Sequence, residues 1–155
     1  MTTHYTLISE ARCETGESPV WVAQESALYW LDIPAGEIYR WYASNDQLSQ
    51  WQMPEMAGSM AMCATGGWIV AMETGIYLVQ LQSNGASTHE KLADVEHPTQ
   101  PMRFNDGRCD RQGRLLSGTM FNDTKAGKSV GSLYLFGNDN QLTPLMGDLI
   151  VPNGL

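Results

Sequence analysis

Four short segments of this chain hold polar, turn-forming residues that its β-prone runs do not account for. The first is Gly16-Glu17-Ser18-Pro19-Val20-Trp21, a carboxylate on a rigid Gly-to-Pro turn just before a strand. The second is Arg103-Phe104-Asn105-Asp106-Gly107. The third, Gly118-Thr119-Met120-Phe121-Asn122-Asp123, is where a strand gives way to a long loop. The fourth is Pro152-Asn153-Gly154. Each alone reads as an ordinary turn, because Asn and Asp bond their own backbone and Gly supplies positive φ. Together they offer a Glu carboxylate and Asn carbonyls. That oxygen ligand set suits a hard cation such as Ca²⁺, Mg²⁺ or Mn²⁺. Nucleophilic hydrolysis has less to work with: no Gly-x-Ser-x-Gly elbow is present, and His4, His89 and His97 have no evident triad partners. His89 and His97 fall in a polar connection and are expected to face solvent.

These residues need a scaffold, and composition bounds it. The chain has 155 residues, of which 43% are hydrophobic and 17% charged, which suits one folded domain. Net charge is −8. That argues against nucleic acid, which requires clustered cations to displace counterions from phosphate, and against an anionic membrane surface. No apolar run reaches the roughly 18 residues of a membrane span. The start, Met1-Thr2-Thr3-His4-Tyr5, lacks the basic and apolar regions of a secretory signal. Cys13, Cys63 and Cys109 are an odd set without a Cys-x-x-Cys pair. They read as reduced thiols filling the core, in a cytoplasmic protein.

The scaffold is a repeat of strands. Ala27-Leu28-Tyr29-Trp30-Leu31-Asp32, Gly67-Trp68-Ile69-Val70-Ala71-Met72 and Gly113-Arg114-Leu115-Leu116-Ser117-Gly118 are equivalent β-prone runs, each after a turn. A glycine and an aliphatic-Tyr pair follow in each unit, at Ile38-Tyr39, Ile76-Tyr77 and Leu133-Tyr134. A more polar third run follows at Leu48–Trp51, Glu90–Leu92 and Leu142–Leu145. Units recur about every 40 residues, nearer about 50 in the third, the size of a four-stranded propeller blade. The extra length is the loop from Phe121 to Val130. No helix is expected. Methionines at 53, 56, 60, 62 and 72, and the five tryptophans, are read as packing between sheets.

A fold of three blades leaves two sheet faces open, because a propeller protects its edges only by closing a ring. Residues 4–12 are expected to form a lone strand ahead of the first blade. A truncated product, a split gene or an assembly of two chains is therefore expected.

At the four polar segments the sequence resembles the senescence-marker-protein, gluconolactonase and luciferin-regenerating-enzyme family, the regucalcin-like sugar lactonases. The matching pieces are Gly16–Trp21, Leu28–Ile33, Arg103–Gly107, Gly118–Met120 and Pro152–Leu155, in family order. The resemblance runs from about Arg12 to the last residue. It implies an all-β, six-bladed propeller of about twice this length, with residues 1–155 as the N-terminal half of that one domain. It implies one axial divalent metal, Ca²⁺ first, with Zn²⁺, Mn²⁺ or Mg²⁺ as alternatives. Glu17 and Asn153 match two metal ligands. The third, an Asp that is the expected general base, would lie beyond Leu155. Arg103 and Asn105 match sugar-contacting positions, and Asp123 falls near an acidic substrate contact. Asp106 is expected to brace its turn or its neighbours.

The implied activity is hydrolysis of a sugar lactone such as gluconolactone. The metal would polarise the carbonyl, a carboxylate would take the proton of the attacking water, and Arg103 and Asn105 would orient the ring. The small-molecule lactone is the expected partner, and a second chain or a missing half would complete the ring. This chain alone is expected to be inactive or nearly so. Two other functions fit the same residues: a non-catalytic, calcium-binding regulatory propeller, and a structural half-propeller that pairs with a second chain.

Overall fold

The structure, a computed structural model, describes residues 4–155. Met1-Thr2-Thr3, read above for a signal, lies outside the described residues. Twelve strands form three four-stranded antiparallel meanders. Blade 1 holds β1 (Gly16–Val22), β2 (Ala27–Asp32), β3 (Glu37–Tyr42) and β4 (Leu48–Gln52). Blade 2 holds β5 (Ala57–Met62), β6 (Trp68–Met72), β7 (Gly75–Leu81) and β8 (Ser87–Asp94). Blade 3 holds β9 (Met102–Cys109), β10 (Leu115–Phe121), β11 (Gly131–Phe136) and β12 (Leu142–Leu149). β1 packs beside β5, and β5 beside β9, so the first strand of each blade lies innermost. β8 and β12 are mostly exposed. The fold is all-β, three blades of a propeller.

Alternation drives this arrangement. Side chains of a strand point to opposite faces with period 2. On β2 that sends Ala27, Tyr29 and Leu31 into the seam between blades 1 and 2. Val70 and Met72 of β6 and Ile38 of β3 meet them there. The Trp51 indole is buried in the same seam, and its Nε1 donates to the Gln82 carbonyl oxygen of blade 2 at 2.8 Å. Met53, Met60 and Met72 are buried in this core, as the packing role predicts, whereas Met62 is exposed. A second apolar cluster, around Ala71, Ile76, Phe104, Leu115 and Phe136, fills the seam between blades 2 and 3.

Three expectations are corrected. Residues 4–12 form no strand, because among the described residues no strand lies alongside to pair with them; Leu7 and Ile8 instead lie with Trp41 and Leu48 around a hollow on blade 1. The cysteines are not core filler: Cys13 and Cys63 are half-buried and Cys109 is exposed, each at or beside the end of a strand. His97 does not face solvent. It is half-buried, with Nε2 2.7 Å from the Glu73 carbonyl oxygen. His89 is exposed, but on β8 rather than in a connection. The long loop after β10 contains one short 3-10 turn, Thr124–Ala126.

Candidate metal and substrate site

Each innermost strand is interrupted by a bulge. On β1 the ladder to β2 breaks between Glu17 and Val20. Pro19 has no N–H to donate there, and Ser18 takes a left-handed φ of 55°. On β5 the break falls at Gly58, between Ala57 and Ser59. On β9 it falls at Asn105 and Asp106, which lie between the residues paired to Ser117 and Thr119 of β10. A bulge leaves its extra residue unpaired and re-aims the side chains around it. Here the three bulges converge: Glu17, Ser18, Gly58, Asn105, Asp106 and Asn153 line one small axial pocket. It adjoins a cleft of about 420 Å³ that continues along Met60, Arg108 and Cys109.

The segments around Glu17 and Arg103 to Gly107 are therefore strand bulges and not turns. The two structures want the same residues, since both need positive φ, a missing N–H or a side chain that bonds its own backbone. Gly58 is the site residue that sequence reasoning missed. The signal for it was a glycine inside a small-residue stretch, Ala57-Gly58-Ser59, which marks close backbone approach. A Cβ at Gly58 would overlap the Phe104 carbonyl, so only glycine lets β5 and β9 come this close.

Asn105 is buried, and its amide is fixed from both ends. Arg103 Nη1 donates to its Oδ1 at 2.9 Å, and its Nδ2 donates to the Pro152 carbonyl oxygen at 3.0 Å. Arg103 does not line the pocket itself. Burial lowers its guanidinium from the usual value, and the Glu73 carboxylate partly offsets this. Asp106 grips the chain end: its Oδ2 accepts from Gly154 N at 2.7 Å and Leu155 N at 3.0 Å, while Oδ1 accepts from Gly107 N at 2.8 Å. The ring of Pro152 lies where a Cβ on Gly118 would be. These contacts carry Asn153 to the pocket where Glu17 stands. Asp123 is not brought there. Its Oδ1 caps the 3-10 turn, accepting from Lys125 N at 3.1 Å, and it lines neither cavity.

The donor chemistry suits a hard cation in part. Glu17 is exposed, and its carboxylate accepts no hydrogen bond from the described residues. Among the described residues Asn153 Oδ1 accepts only from Gly154 N, at 2.9 Å, which leaves one lone pair. Asp106 is already engaged by three N–H groups and is a brace. Among the described residues no three His, Cys, Asp or Glu side chains cluster as a metal cage. Two oxygen donors are thus in place, where hard cations take six or more, so further oxygens must complete the shell.

Residues 15–155 match the model of the SMP-30/gluconolactonase/LRE-like region. A 6-deoxy-6-sulfogluconolactonase of Pseudomonas putida is 37% identical over 140 residues, 90% of this chain and 46% of that protein. Regucalcin of Sus scrofa is 31% identical over 146 residues, 92% of this chain and 48% of its own. The chain thus spans about half the length of these relatives. A solved luciferin-regenerating enzyme superposes with a TM-score of 0.81 at 24% identity, over 94% of this chain and 49% of that one. A regucalcin from Agrobacterium tumefaciens, described as a calcium-binding protein, gives 0.79 at 24% identity, over 91% and 46%. These two likenesses carry the propeller fold. The sequence match over residues 15–155 places this chain in the SMP-30/gluconolactonase/LRE-like family.

Proposed function

We propose that residues 1–155 supply the N-terminal half of one propeller domain that hydrolyses a sugar lactone, with Glu17 and Asn153 as ligands to one divalent cation. The observation that carries this is the shared axial pocket: Glu17, Asn105 and Asn153 line it from three distant parts of the sequence. Membership of the lactonase family and a relative named for a sulfogluconolactone direct the choice of substrate to an aldonolactone.

A hard cation held by Glu17 and Asn153, Ca²⁺ foremost, would supply Lewis-acid polarisation of the lactone carbonyl. The other residues position. Arg103 fixes the Asn105 amide, which keeps one N–H and one lone pair for a sugar hydroxyl. Asp106 holds the segment that presents Asn153. Asp123, on its loop, would reach substrate only from the rim. With Asp106 engaged and Glu17 a ligand, the proton of the attacking water goes to a carboxylate supplied by the other half.

The test fuses or mixes this chain with the C-terminal half of a family relative and follows acid release from gluconolactone with Ca²⁺, Zn²⁺ or Mn²⁺. Turnover that needs both halves and is lost in Glu17→Gln is the expected result. Robust turnover by this chain alone, or turnover indifferent to Glu17→Gln, overturns it. Calcium uptake by a folded assembly that hydrolyses no sugar lactone would instead favour a regulatory cation-binding propeller.

A further inference from the structure

The two seams between blades are built from equivalent residues but are not equally filled. The seam between blades 1 and 2 buries fourteen apolar side chains in one cluster, with three more half-buried against it. The seam between blades 2 and 3 buries five, with seven only half-buried. Strand register identifies the difference. Trp51 of β4 stands opposite Ile38. At the same place in blade 2, Ala93 of β8 stands opposite Ile76. Trp51 reaches across to the carbonyl of Gln82, the residue that follows β7 and bonds Ala86. Its counterpart in blade 3 is Gly137, which follows β11 and bonds Gln141 in the same way. So an indole and a glutamine in one seam are replaced by a methyl and a glycine in the other.

A cavity of about 630 Å³ opens in that second seam, and Gly137 lines it. Its floor is apolar: Ile69, Leu78, Leu92, Leu115 and Phe136. Its rim is neutral and polar, with Thr65, Gln112, Asn138 and Asn140. Among the described residues no charged side chain lines it, in a chain of net charge −8. An apolar cavity of this size with a few polar groups at the mouth is the usual form of a small-molecule site. It shares no lining residue with the small axial pocket, although Met62 and Cys109 also line the cleft beside that pocket; both of its walls belong to this chain.

We infer that the seam between blades 2 and 3 binds a small, uncharged aromatic molecule, whose ring takes the place that the Trp51 indole fills in the neighbouring seam. Neutral lining excludes a charged sugar acid, and the missing indole sets the shape.

Cys63 and Cys109 both line the cavity, whereas Cys13 does not, which supplies an internal control. The experiment titrates the 155-residue chain with the uncharged fluorophore N-phenyl-1-naphthylamine, then with indole as competitor. Saturable binding at one equivalent is expected. Bound probe should slow maleimide labelling of Cys63 and Cys109 at least about fivefold, with Cys13 unchanged. Ala93→Trp, which copies blade 1, should abolish binding. Trp21→Ser, on the exposed face of blade 1, should leave it intact. The inference is overturned if no saturable binding occurs, if a folded Ala93→Trp protein binds as before, or if labelling of Cys63 and Cys109 is unaffected. Should Ala93→Trp not fold, the labelling comparison alone decides.

Discussion

Asn105 donates from Nδ2 to the carbonyl oxygen of Pro152 at 3.0 Å, across 47 positions of sequence. One side chain thereby ties the innermost strand of blade 3 to the segment that leaves that blade. The neighbouring Asp106 bonds the amides of Gly154 and Leu155. The fourth polar segment is thus held by the second, and Asn153 is delivered to Glu17 by backbone contacts rather than by its own side chain.

Removing that grip should free the segment. In Asp106→Ala, three hydrogen bonds to a carboxylate are lost. Bonds to charged groups are worth about 1.5–3 kcal/mol each at most, and exposure of the segment reduces this. Hydrogen exchange should show Gly154 and Leu155 amides losing protection while β10 keeps its own. Cation affinity should fall severalfold with Glu17 untouched.

Glu17 is exposed and accepts no hydrogen bond from the described residues, so its role separates from folding. Glu17→Gln should leave the denaturation midpoint within about 0.5 kcal/mol of the parent in the absence of cation. Calorimetry should show divalent-cation affinity reduced more than about tenfold, or about 1.4 kcal/mol. Unchanged affinity would remove Glu17 from the ligand set.

Gly58 has no room for a methyl group against the Phe104 carbonyl. Overpacking commonly costs about 1–3 kcal/mol, and here the opposing atom is backbone and yields little. Gly58→Ala should lower the thermal midpoint and disturb the Asn105 amide, visible as a shifted side-chain NH₂ resonance. Alanine at the exposed Gly66 turn is not a fair control, since φ there is 101°.

Trp51, with Trp68 one of two indoles in the first seam, is almost wholly buried. Trp51→Ala should cost about 3–5 kcal/mol in chemical denaturation. It should also create in that seam the kind of space that Leu92 and Gly137 line in the second.

Asp110 accepts from Gln112 N and Arg114 N through Oδ1, and from the Arg114 guanidinium through Oδ2 at 2.7 and 2.8 Å. The Arg114 backbone N–H, then its guanidinium, hold the Asp110 carboxyl below its ordinary value. A carboxylate depressed in the folded state stabilises it above the unfolded value of about 3.9, and that contribution is lost as pH falls through the lowered folded value. Carboxyl NMR titration of Arg114→Ala should move Asp110 part of the way back up, because the backbone bond remains.

The blades were legible because their information is local. Alternating apolar residues in Ala27–Asp32, the aliphatic-Tyr pairs and the turns between them recur along the chain, and period 2 leaves one face for each neighbour. The innermost strands β5 and β9 were not, since Ala57-Gly58-Ser59 and Asn105-Asp106-Gly107 lack β-prone residues; crowding at the axis selects small and turn-forming types instead. By itself the sequence determined the repeat, the apolar seams and which polar residues had no place in them. Only the tertiary structure decided that those residues sit on bulges rather than turns, that Asp106 braces Asn153, and that Asp123 caps a separate loop. The reason is physical: a turn and a bulge ask the same of a residue, and they differ only in whether a partner strand lies alongside.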